Sequence, residues 1–95
     1  MTDIGSISNL LAIAEKAIEV SDSEGARKEA RANLNAAYER WKDDHGIEHV
    51  ETDSAAWNMM MDATEMEYAR FSVAQSAEKN AKRRLATAIR KYRHG

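Results

Sequence analysis

The chain contains no cysteine and no proline, and only four glycines among its 95 residues. Without cysteine, disulfides and thiolate chemistry are excluded, and without proline and with little glycine most of the punctuation that turns and strands need is missing. Large apolar side chains are scarce as well. Ile, Leu, Val and Phe total 14 residues, whereas alanine alone supplies 17. That supply falls below the roughly one-fifth that marks disordered chains, but such chains also carry a large net charge. Here the formal net charge is only -2. The chain is therefore expected to fold, as one domain, with help from a partner subunit. No long hydrophobic run exists, the longest being Leu10 to Ala14, against the roughly 20 residues a membrane-spanning helix needs. The N-terminus also lacks the basic and apolar segments of a secretory signal. A soluble, cytoplasmic protein with no membrane association is the expectation.

What is present favours helix throughout. Ile4, Ile7, Leu10, Leu11, Ala14, Ala17 and Ile18 recur at steps of three and four, the stripe of a first predicted helix over about residues 4–20, with Ile13 at its edge. Ser21 and Glu24 have the spacing of a capping box and Val20 that of its hydrophobic staple. A second predicted helix therefore starts there and runs over about residues 22–44, with Ala26, Ala30, Leu34, Ala37, Tyr38 and Trp41 on one face. The short turn between the two makes them an antiparallel hairpin. Gly46 stands where a helix end favours a left-handed residue, so residues 45–52 read as a loop, and Thr52, Asp53 and Ser54 are good helix-starting types. A third helix is predicted over about residues 53–93, about 60 Å long by its rise per residue.

The two shorter helices, about 26 and 35 Å long, do not cover such a length. Either the third helix breaks among Ser72, Ser76 and Asn80, or its overhang is buried on another chain. The second alternative is preferred because Trp57, Met61, Thr64, Tyr68, Phe71, Gln75, Glu78, Lys82, Leu85, Ile89 and Tyr92 follow steps of four and three along its whole length. Val73, Ala77, Ala81 and Ala88 form a neighbouring stripe of small residues over which two helix backbones can approach. The expected fold is thus all-α, an antiparallel helical hairpin packed on a long third helix in a dimeric bundle. Its expected interface comprises Trp57, Met60, Met61, Tyr68, Phe71, Ala77, Ala81, Leu85, Ile89 and Tyr92.

The small net charge hides two poles. Residues 43–67 hold eight acids and no Lys or Arg, and residues 79–95 hold Lys79, Lys82, Arg83, Arg84, Arg90, Lys91 and Arg93 with no acid. Helix-end electrostatics fade within about one turn, so they do not account for the bases at Lys79 to Arg84. Antiparallel pairing of two copies would set each acidic start against a basic end. The alternative is that the seven bases form a charged partner-binding surface for a protein or for nucleic acid.

Candidate chemical sites are thin. His45, Glu48, His49, Glu51 and Asp53 are metal-ligand types, but Gly46 interrupts the helical i, i+4 spacing of the two histidines. Glu39, Asp62 and Glu65 lack the Glu-x-x-His units of a carboxylate metal centre. No nucleophile turn or glycine-rich phosphate loop accompanies the Ser, His and Asp residues. No catalytic residue, metal ligand or cofactor is assigned. The expectation is a non-enzymatic, homodimeric protein-interaction module acting as a regulator, inhibitor or assembly factor. Its alternatives are a nucleic-acid-binding protein using the basic C-terminal helix and a small carboxylate and histidine metal-binding bundle.

Overall fold

The computed structural model describes residues 4–94. It contains three helices, α1 (Ile4–Asp44), α2 (Ala55–Ala63) and α3 (Glu65–His94), and no strand among the described residues. α1 packs on α3 along its length and on α2 near the loop. Glu19 meets Arg84, Arg27 meets Glu78, Arg31 lies over Phe71 and Tyr38 reaches Met61, so the two long elements run antiparallel. The result is a rod of 67 × 19 × 17 Å with a radius of gyration of 20.0 Å, where a compact chain of this length would have about 12 Å.

The first and second predicted helices are one helix. Ser21 and Glu24 do not cap a new start, because the backbone stays helical from Ile4 to Asp44. A continuous seam explains this. Ser6, Asn9, Ile13, Lys16, Val20, Ser23, Arg27, Ala30, Leu34, Ala37 and Trp41 alternate steps of three and four, and each is buried or half-buried. Trp57, Met60, Thr64, Glu67, Phe71, Ala74, Glu78, Ala81, Leu85 and Ala88 do the same on the returning side. This is the 3.5-residue repeat of a two-stranded coil, and it passes through Ser21–Gly25 without a change of face. A helix that keeps its partner across a local capping signal has no reason to stop there. The expected hairpin at residues 21–25 is thereby replaced by a single 41-residue helix.

The third predicted helix breaks, but at Thr64 rather than among Ser72, Ser76 and Asn80, which all remain helical. Thr64 is 3% exposed, with φ -111° and ψ 19°, and its Oγ1 donates to the Met60 carbonyl at 2.8 Å. The Thr64 N–H donates to the same carbonyl at 3.0 Å. Side-chain bonding of Thr back to the preceding turn distorts helices, and the helix is interrupted there between α2 and α3. The overhang that argued for a second chain is gone, because the 41 residues of α1 span about 60 Å and lie against α2 and α3.

The loop is built from the expected signals. Gly46 has φ 64°, its N–H donates to the Asp43 carbonyl at 3.2 Å, and the Ile47 N–H donates to the Lys42 carbonyl at 2.9 Å. Those two bonds make a Schellman termination, which satisfies carbonyls left open at the end of α1. Ser54 starts α2, its Oγ accepting from the Trp57 N–H at 3.1 Å. Asp53 precedes it with φ 64°, a backbone setting that Asp tolerates better than most side chains.

The packed core lies at the loop end. Leu34, Ala37 and Trp41 of α1 are buried with Met60 and Thr64, and Ala81 is the one fully covered position farther along α3. His45 stacks on Trp41 with ring centroids 4.1 Å apart, its Nδ1 2.8 Å from the Trp41 carbonyl. Leu34→Ala should cost about 2 to 5 kcal/mol, because the side chain is fully buried.

Gly25 tests the continuous helix. A Cβ there meets nothing within 4 Å, and alanine is favoured over glycine in a helix interior by about 1 kcal/mol. Gly25→Ala should therefore raise the melting temperature by about 4 to 8 °C for a chain of this size. A turn at residues 21–25 would give no such gain. Gly46→Ala should lower the melting temperature, since its positive φ is costly for a residue with a Cβ.

Candidate interaction surfaces

The stripe that dominates the first third of the sequence does not face the core. Ile4, Ile7, Leu11, Ala14 and Ile18 each lie two residues before the seam positions Ser6, Asn9, Ile13, Lys16 and Val20. Two residues turn a helix by about 200°, so this stripe looks away from α3. Ile4 is 84% exposed, Leu11 60% and Ile18 62%, and Ile7 and Leu10 are also exposed. The inward positions opposite them include Asn9 and Lys16. The stripe of the first predicted helix thus lies outside the interior of the rod.

The expected interface on the third predicted helix is largely turned inward. Met60 and Ala81 are buried against the rest of the chain, so neither offers a surface to another protein. Trp57, Met61, Phe71, Leu85 and Ile89 are half-buried, while Tyr68, Ala77 and Tyr92 are exposed. The physical reason is that α1 is long enough to occupy the seam assigned to a second chain. Phe71 lies under the Arg31 guanidinium at 5.2 Å from its ring centroid, and Tyr38 Oη points to Met61 Sδ at 4.0 Å. Burial pushes the Tyr38 hydroxyl above the usual tyrosine range.

All seven bases of the charged surface lie exposed on α3. Because α1 runs antiparallel to α3, Lys16 joins Arg83, Arg84 and Lys91 around a groove of about 360 Å³ floored by Ala12 and Ala88. Glu19 bridges two of them, 3.3 Å from Lys16 Nζ and 3.4 Å from Arg84 Nε. Those two bases hold the Glu19 carboxyl below the usual glutamate range, Lys16 contributing most. At mid-rod Arg27 and Glu78 meet across the seam at 2.6 Å, and Lys82 approaches the same carboxylate at 3.2 Å. The Arg27 hydrogen bond is the largest influence on Glu78, and with Lys82 it outweighs partial burial and lowers the Glu78 pKa.

The acids and histidines of the loop do not converge. No group of three His, Asp or Glu side chains able to hold a metal exists among the described residues. His45 is engaged with Trp41. No helix among the described residues is long and apolar enough to cross a membrane.

Compared with known families, curated proteins and solved structures, the chain matches none of them.

The lowered Glu78 pKa gives acid sensitivity a sign. A carboxyl whose folded pKa is depressed contributes stability that is complete above its unfolded pKa, about 4.3, and is lost as pH falls toward the folded value. Melting temperature followed from about pH 7 to about pH 3 should fall on the acid side. In Glu78→Gln that fall should be shallower, because the Arg27 partner no longer titrates. Equal acid limbs in the two proteins would assign the sensitivity to other carboxyls.

Proposed function

We propose that the chain is a non-enzymatic protein-interaction module that docks helices onto the outward edge of α1, in the manner of a small regulator, inhibitor or assembly factor. The observation that carries this reading is the exposed stripe Ile4, Ile7, Leu11 and Ile18. The intramolecular seam on the opposite side of α1 contains the half-buried Asn9, Lys16 and Ser23. Monomers rarely expose a contiguous apolar patch while keeping polar groups inside, and such patches mark docking sites. The steps of three and four match the groove of a partner helix. Self-association is part of the proposal, since the thin interior leaves much apolar surface available for a partner subunit.

A second reading, anion or nucleic-acid binding, draws on the convergence of Lys16, Arg83, Arg84 and Lys91 on one groove. It predicts retention on heparin that falls with salt and is lost in a variant carrying Arg83→Glu and Arg84→Glu.

The main reading is tested by a photo-crosslinking side chain placed at Leu11 in the cells that make the protein, with the exposed position Gln75 as control. A polypeptide of discrete mass should be captured from position 11 and not from position 75. Equal labelling at both positions, or none at either, would reject docking on the α1 edge.

A further inference from the structure

We infer, resting on the docking role of the α1 edge, that its occupant is a second copy of this chain, bound antiparallel through the opposite edge of the rod at Met59, Met66 and Val73. These three residues are 57, 66 and 70% exposed. Each lies two positions after a seam residue of α2–α3, namely Trp57, Thr64 and Phe71, so this stripe turns about 200° away from α1. The rod therefore carries one apolar stripe on each edge.

The two stripes have the same spacing. Ile4, Leu11 and Ile18 repeat every seven residues, as do Met59, Met66 and Val73, and a constant offset of 55 positions aligns them pair by pair. The same offset sets Ala14 beside Ala69. Only Asp62, beside Ile7, is polar. Ile4 lies at the open end of the rod and Met59 near its loop end, so matching them overlaps the two rods along their whole length.

Charge selects the same orientation. The half of the rod built from residues 4–22 and 77–94 carries eight bases and four acids, while residues 23–76 carry six bases and eleven acids. Antiparallel rods set the net +4 half of one copy beside the net -5 half of the next. Parallel rods would instead set the α1 stripe against Arg83, Thr87 and Arg90, basic half against basic half.

Because the stripes lie on opposite edges, each contact joins the α1 edge of one copy to the α2–α3 edge of another, and the pairing does not close on itself. Sedimentation of the purified protein should show an average mass that rises with concentration beyond twice the 10.7 kDa monomer. Leu11→Asp and Met66→Asp should each give monomers with unchanged helicity, since both side chains are exposed. Mixed in equal amounts, the two should form a capped heterodimer of twice 10.7 kDa and nothing larger, because each supplies the edge the other lacks. Ile18→Asp mixed with Val73→Asp repeats the test at independent positions. A wild-type monomer at high micromolar concentration, or variant pairs that stay monomeric while the wild type associates, would overturn the inference. In that case the crosslink from position 11 decides the broader reading: capture of a different protein leaves docking on α1 standing, and no capture removes it as well.

Discussion

A helix cannot change which face it turns toward a neighbour partway along its length without breaking, and α1 does not break for 41 residues. That constraint organises the molecule. At the loop end Leu34, Ala37 and Trp41 pack against Met60 and Thr64, which sets the rotation of α1 about its own axis. Twenty residues toward the N-terminus the same rotation brings Asn9 and Lys16 inward and sends Ile4, Leu11 and Ile18 outward. The helix that buries Leu34, Ala37 and Trp41 at the loop end thus leaves its apolar residues nearest the N-terminus exposed.

The seam that results is narrow and partly polar. Alanines at 30, 74, 81 and 88 keep the helices close, and the Arg27–Glu78 pair occupies positions where a coiled coil would normally place apolar groups. An ion pair within such a seam favours one alignment of the two helices, because a slip separates its partners. A slip of one heptad would bring Arg27 toward Phe71 or Leu85 and leave Glu78 without its partner. The molecule is long, thinly cored and well specified in alignment, and such a rod leaves apolar surface for association.

Antiparallel return also turns a linear charge pattern into a spatial one. The basic stretch Lys79 to Arg93 comes back beside the start of α1, where Lys16 joins it, and the acids of residues 43–67 collect around the loop. A rod with oppositely charged halves favours antiparallel neighbours over parallel ones at moderate salt. The two apolar edges agree with that preference, because each lies in a half whose charge opposes the half beside it.

Sequence alone determined the helical class, the loop and its terminators. The absence of proline, the abundance of alanine, Gly46 at a left-handed helix end and Ser54 as a helix start are local effects, and local energies suffice to read them. The two charged poles were legible for the same reason. The single α1 was not, because the capping signal at Ser21 and Glu24 is also local and is overridden by a seam whose partner residues lie more than 50 positions away. Nor was the break at Thr64, a threonine bond to the preceding turn that other helical threonines also make, as Thr87 does to Arg83. Which face of α1 is buried was likewise decided by tertiary structure. Periodicity shows that a stripe is apolar, but only the rotation imposed by packing elsewhere on the same rigid helix determines whether that stripe faces inward or outward.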